Sequence, residues 1–366
     1  MSKILSNIKM KNEEINKQNI LDILSIGIKA ISPYNIQPWR FKIKNNKVQV
    51  YLIKENKGFM KNNDIYYISL GCLLENIAEA TNYFNYTHKI TYLSEKIENE
   101  NPQIKIEFKQ NQTTNNHTNS IKHVLSRYTN RKQYLNKKVP KYILKEIKSI
   151  YESKTAKVQF IENNLKFNKT YSQFERIRFN NNNLFEELVD HVRFNKKDNL
   201  KYKDNLDIKV LETNKFTTFI MKNFKNPIFH KLITILRFFG AGKEAGNYMF
   251  KLLNSSPIII SFSEKNRNWK NIINCGINIQ KILNYIHKEK LSSQICNSGL
   301  ALFHMQKNEL TSEKEKKNFS QAKNEISKIL NQDLKTIDFI LRLGYAKEAK
   351  VKSLRRNIEE LIIEEK

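Results

Sequence analysis

The densest run of chemistry-bearing residues is Ser32-Pro33-Tyr34-Asn35-Ile36-Gln37-Pro38-Trp39-Arg40-Phe41. It holds two prolines, a serine hydroxyl, two carboxamides and one of the chain's two tryptophans. A plain turn needs far less. The set suits a surface that grips a flat ligand with a polar edge. The alternative is that Asn35 and Gln37 are turn residues satisfying local backbone. Other chemistry is thinly represented. Cys72, Cys275 and Cys296 lie far apart with no CxxC pair, which fits reduced structural thiols. The seven histidines have no HxxxH or HxH spacing, so no metal is expected. No catalytic triad or carboxylate pair stands out.

The composition bounds the possibilities. A chain of 366 residues can bury a sizeable core, and 11% aromatic residues argue against wholesale disorder. The formal charge is +28, the sign expected of a nucleic-acid binder. The lysines, however, are spread along the chain among asparagines, with no basic helix, zinc finger or RNP-type strand. Dispersed surface charge is the better reading, and a preference for anionic ligands survives it. No apolar run has membrane-spanning length and no signal peptide is visible, so a cytoplasmic protein without a membrane span is expected.

The elements that must hold the Ser32–Phe41 loop follow from periodicity. Ile20, Leu24, Ile28 and Ile31 recur at helical spacing, and Pro33 ends that helix. Alternation over Phe41–Ile43 and Val48–Leu52 around Asn45-Asn46 predicts a hairpin. Residues 68–80 are apolar almost all round, the mark of a buried helix. Strands are expected near Ile90–Leu93, Ile104–Ile106 and Ile258–Phe262, and the chain closes with the apolar segment Ile337–Tyr345. Helices are expected over 143–150, after Pro140, and 271–287. Residues 109–119 read as a polar linker, and 162–250 as polar and irregular at first. The apolar-basic piece 229–239 is expected to pack on its own protein rather than on a membrane. Gly71–Ile77 and Gly276–Ile282 look alike: each has glycine first, Glu or Gln four residues on, then isoleucine. This hints at internal duplication.

Three segments together resemble the FMN-dependent nitroreductase family. Ser32–Phe41 resembles its PSxxNxQPWxF loop. Arg127-Tyr128-Thr129-Asn130-Arg131, with Tyr134 and Val139-Pro140, is similar to its RRSxR…F…VP opening. Leu341-Arg342-Leu343-Gly344-Tyr345, with Arg355-Arg356 beyond, resembles its RxGYP…xR close. The order, with the loop first and the arginines second, resembles the long fused-duplicate branch typified by mycobacterial Acg-type proteins.

The resemblance implies an α+β fold of two nitroreductase-like units, with mixed or antiparallel sheets surrounded by helices. Their bounds would be 1–108 and 121–366, with a linker at 109–120 and an insertion at 162–255. The chain would be its own dimer, a monomer in solution or part of a higher oligomer, with one FMN site between its units. Arg127 and Arg131 would share a face if their segment starts a helix, and with Thr129 and Arg355 or Arg356 they would hold the phosphate. Tyr128 replaces the family's second arginine. Ser32, Asn35 and Gln37 would meet the polar edge of the ring, while Trp39 packs under the loop. Residues 291–299 stand where a GLG-type stretch usually contacts the ring, with the glycine displaced.

The implied activity passes hydride from NAD(P)H through FMN to a small acceptor such as a nitroaromatic or quinone. The alternative is a lidded protein that sequesters FMN with little turnover, the insertion being the lid. A nucleic-acid binder ranks last.

Overall fold

The computed structural model describes residues 15–364, apart from 99, 112–120, 163, 228, 230–231, 234, 236–239, 298–301 and 303–312. Most of the expected linker, part of the 229–239 piece and Ser298-Gly299 therefore lie outside the described residues.

The first helix, α1 (Lys17–Gly27), begins with a capping box in which Asn16 and Asn19 exchange hydrogen bonds. It buries Ile20, Ile23 and Leu24 and stops at Gly27, four residues before the expected Ile31. β1 (Trp39–Lys44) and β2 (Lys47–Leu52) form the expected hairpin, with Asn45 in the left-handed region at φ 54°. α2 (Asp64–Tyr83), β3 (Tyr86–Tyr92) and β4 (Ile104–Gln110) complete the first half. Its sheet runs β1-β2-β4-β3, every pair antiparallel.

The second half opens with the short α3 (Ile121–Ser126) and then α4 (Lys141–Tyr151), whose N-cap is Pro140. β5 (Ala156–Glu162) follows. The expected irregular insertion is instead helical: α5 (Leu165–Asn180), α6 (Asn182–Asp190), α7 (Lys196–Tyr202), α8 (Lys215–Asn223) and α9 (Ala241–Asn254). A two-residue parallel pair, β6 (Val192–Arg193) and β7 (Leu206–Asp207), lies among them. Asparagine side chains start α5, α6, α7 and α8 by accepting a backbone N–H of the first turn. The asparagine-rich composition that looked irregular is thus a set of helix caps.

The chain continues through β8 (Ile258–Glu264), α10 (Trp269–Lys288), β9 (Ser292–Ile295), α11 (Glu313–Leu330) and β10 (Ile337–Gly344). The second sheet runs β5-β8-β10-β9, also antiparallel throughout. Every residue of β8 and β10 is buried, as expected for central strands covered on both faces.

One core joins the two halves, and at its centre α2 crosses α10. The crossing is reciprocal. A Cβ on Gly71 would lie 2.0 Å from the Ile273 carbonyl, and one on Gly276 would lie 2.2 Å from the Ile68 carbonyl. Only glycine lets the two backbones approach so closely. Arg267 also ties the halves, meeting Asp64 at 2.6 Å and Asp338 at 2.7 Å. The insertion keeps a small core of its own around Phe185, Val192, Leu206 and Phe224.

Candidate functional site

A cavity of about 1130 Å³ opens where the halves and the insertion meet. Three segments far apart in sequence converge on it. The loop after α1 brings Ser32 and Asn35, the stretch after α3 brings Arg127, Tyr128, Thr129 and Arg131, and the C-terminal tail brings Arg355. Gln294–Asn297, at and after the end of β9, form another wall, and Cys296 lines it as a buried thiol. Burial raises the Cys296 pKa to about 11, so the thiol stays protonated at neutral pH.

The loop is backbone-strained. Tyr34, Asn35 and Gln37 have φ of 46°, 61° and 52°, a region costly for side chains other than glycine's. Hydrogen bonds hold it there. Ser32 Oγ accepts from the Gln37 N–H at 3.1 Å, and Asn35 Nδ2 donates to the carbonyls of Asn205 and Leu354, both at 3.0 Å. Asn35 lines the cavity, and its Oδ1 is buried with no partner. Trp39 is fully buried beneath the loop, as its place before a strand implies.

Two of the expected site residues are elsewhere. Gln37 is fully buried and does not line the cavity: its amide donates to the Lys203 carbonyl at 2.9 Å and accepts from the Arg356 N–H at 2.9 Å. It fastens the loop to the insertion and the tail. Arg356 pairs its guanidinium with Asp204, which Arg193 also holds, and points away from the cavity. The condition for a shared face of Arg127 and Arg131, a helix starting there, is not met. Arg127 follows α3 in irregular chain and α4 starts only at Lys141, so no helix face aligns Arg127 with Arg131.

The cations divide by what they already hold. Arg355 donates to the carbonyls of Ile28, Lys29, Ala30 and Leu354, fastening the tail to the chain just past the end of α1. Arg131 spends one donor on the Val210 carbonyl at 3.2 Å. Arg127 Nε is buried and unpaired. Burial, with Arg131 nearby, lowers the Arg127 pKa to about 10, the Cys72 thiol opposing this. Burial and then Arg127 lower Arg355 to about 9. Lys29 is lowered by burial and by Arg355 and Lys203. No carboxylate is among the groups that shift these three cations. Three cations gathered on a cavity wall, with no carboxylate among the groups that shift them, form a ready anion site.

Lys29 was missed in the sequence because it is one lysine among many. Arg178, Glu175 and Glu187 also line the cavity, on helices that the sequence pattern did not reveal. Among the described residues no group of His, Cys, Asp and Glu could hold a metal ion, and no helix is long and apolar enough to cross a membrane.

No family model and no curated protein matches the chain. Among solved structures it is similar to a nitroreductase with bound FMN from Bacteroides fragilis NCTC 9343. The identity is 11%, over 64% of this chain and 94% of that one, at a TM-score of 0.34. It is also similar to NfnB, an FMN- and NADPH-dependent nitroreductase from Sphigopyxis sp. strain HMH. There the identity is 11%, over 67% and 98% of the two chains, at a TM-score of 0.36. Both likenesses are slight, and the functional reading rests on the cavity.

Proposed function

We propose that the cavity binds FMN and that the chain is an oxidoreductase of nitroreductase type, using NAD(P)H and a small acceptor such as a nitroaromatic or quinone. The observation that carries this is the meeting, in one cavity, of uncompensated Arg127 and Lys29 with an unpaired Asn35 Oδ1. A flavin mononucleotide has a dianionic phosphate for the first pair and a ring edge with an N–H donor for the second. Thr129 and Ser32 bring hydroxyls to the same walls. Arg355, its donors spent on carbonyls, fixes the chain that follows α1 and adds positive field. Bound FMN supplies hydride transfer, and the protein positions and shields it.

The proposal includes an internal duplication that makes the chain its own dimer. Both sheets place their strands in the order first-second-fourth-third, and both halves put a 20-residue buried helix between the second and third strands. The reciprocal glycine contact is what a two-fold axis between α2 and α10 produces. The cavity draws Asn35 from one half and Arg127 from the other, so a single chain completes it.

One set of contacts favours the flavin-sequestering alternative. Insertion helices α5, α6, α8 and α9 all line the cavity. They are fastened to the first half by Arg178 to Tyr34 (3.2 Å), the Phe59 N–H to Glu187 (3.0 Å) and His191 to Glu55 (3.1 Å). Anaerobic bleaching of the flavin separates the two. Rapid reduction by NADPH or NADH supports the oxidoreductase. Reduction by dithionite alone supports the lidded binder. A protein that takes up no added FMN sinks both.

A further inference from the structure

We propose that Arg342 is the positioning residue of the anion site. It holds the irregular chain that carries Arg127, Thr129 and Arg131, and so sets the preference for a phosphorylated ligand over the same ligand without its phosphate. The role in flavin binding rests on the FMN reading above; the role at an anion site stands without it. Residues 127–134 lie in no helix or strand. Cations on such chain stay aimed at a cavity only where other groups fix the backbone between them.

Arg342 supplies that fixing. It is fully buried in β10, does not line the cavity, and stands directly across from Gln294 of β9. Its Nε donates to Gln294 Oε1 at 2.7 Å, and Nη1 donates to the Leu252 carbonyl at 3.2 Å. Nη2 donates to the carbonyls of Asn130 at 3.2 Å and Lys132 at 2.7 Å, the two residues that bracket Arg131. One guanidinium thus gathers the arginine-bearing chain, α9 and β9, and Arg131, Leu252 and Gln294 all line the cavity.

Its neighbours complete the bracket. Asn130, also fully buried, donates to Ser292 Oγ at 3.2 Å and to the Lys347 carbonyl at 2.9 Å, and accepts the Lys132 N–H at 3.1 Å. The Tyr134 ring lies 4.0 Å from the Arg342 guanidinium, and its hydroxyl donates to the Asn130 carbonyl at 3.1 Å. Gly344 admits that ring, since a Cβ there would fall 2.9 Å from Tyr134 Cδ2. The four acceptors that Arg342 reaches are all neutral, so its charge is left to act on its surroundings. Burial lowers the Arg131 pKa and the Arg342 charge lowers it further, so the buried guanidinium is felt at the cavity wall.

The test is calorimetric titration of the full chain with FMN, riboflavin and inorganic pyrophosphate, comparing the natural sequence with Arg342→Lys and Tyr134→Phe. Lysine keeps a cation but cannot fork to four acceptors. Arg342→Lys should weaken FMN and pyrophosphate about tenfold, the scale of one hydrogen bond to a charged group, and riboflavin less than about twofold. Tyr134→Phe removes one anchor of the Asn130 carbonyl and should lower pyrophosphate affinity and the FMN-to-riboflavin ratio about threefold. If Arg342→Lys does not fold, Tyr134→Phe carries the test alone. Equal losses for FMN and riboflavin overturn the positioning role, because they report a general loss of packing. An unchanged ratio in every variant that folds also overturns it. A protein that takes up no flavin but loses pyrophosphate as expected keeps the role and removes only the flavin proposal. A natural sequence that binds none of the three ligands overturns both.

Discussion

The two halves share a skeleton and differ in their connections. Each has an 11-residue helix, four antiparallel strands in the same order and a 20-residue buried helix. In the first half, helix and sheet are joined by residues 28–38, which carry the strained, cavity-lining loop. In the second, residues 152–155 suffice, and none of them lines the cavity. The strand hairpins reverse the contrast: Asn45-Asn46 closes the first, while residues 163–257 separate β5 from β8. The shared part of each half builds the core. The unshared parts, a loop from one and arginines and an insertion from the other, build the site. On the proposed duplication, one fold repeated yields one cavity, because only the first unit carries the cavity-lining loop.

The strongest way to break the equivalence is at the helix crossing. Gly71→Ala and Gly276→Ala each drive a methyl into a backbone carbonyl of the partner helix, at 2.0 Å and 2.2 Å. Overpacking costs about 1–3 kcal/mol and more where backbone must shift, so each should lose about 3 kcal/mol in chemical denaturation. Equal losses sharpen the two-fold reading. A tolerant Gly276 beside an intolerant Gly71 breaks it.

A contrast of arginines comes next. Arg127→Met removes a cavity cation with an unpaired Nε and should weaken FMN binding about 10–100-fold, the scale of about 1.5–3 kcal/mol for a hydrogen bond to a charged group. Arg356→Met should change affinity less than about tenfold, because Asp204 keeps Arg193 and the Arg356 N–H still reaches Gln37. Titration of the apoprotein with FMN reads both. Similar losses for the two would place the phosphate nearer the tail.

Sequence patterns made the skeleton legible and the insertion illegible, for one physical reason. Hairpin and core helices announce themselves by hydrophobic period, and β1–β2 and α10 fall within a residue or two of expectation. The insertion hides its helices in asparagine, lysine and short apolar sets, and its caps read as irregular polar chain. Arg127 and Asn35 were legible because the motif fixes residue types. Gln37 shares the motif of Asn35, and Arg356 sits in the closing one, yet their side chains satisfy backbone and Asp204. Spacing says that a polar residue is near a site, not which way its side chain turns.

The smallest effect lies where the two long helices differ by one atom type. Four residues after each glycine stand Glu75 and Gln280. Gln280 is fully buried and neutral, accepting the Ile31 N–H at 3.2 Å and donating to Asn284 at 2.8 Å. Glu75 is an acid in the matching position, and burial, with Glu79 nearby, raises its pKa to about 7 against the pull of Lys281. A carboxyl with a raised folded pKa contributes fully below its unfolded value near 4.5, and that contribution is lost as pH rises through about 7. Glu75→Gln should therefore leave stability unchanged at pH 4.5 and raise it at pH 8, by about 1–2 kcal/mol once partial exposure is discounted. Denaturation midpoints at the two pH values check this. A gain at pH 8 means α2 tolerates the neutral amide of its counterpart, while a loss means the Glu75 carboxylate holds Lys281 across the crossing and the two positions differ in role.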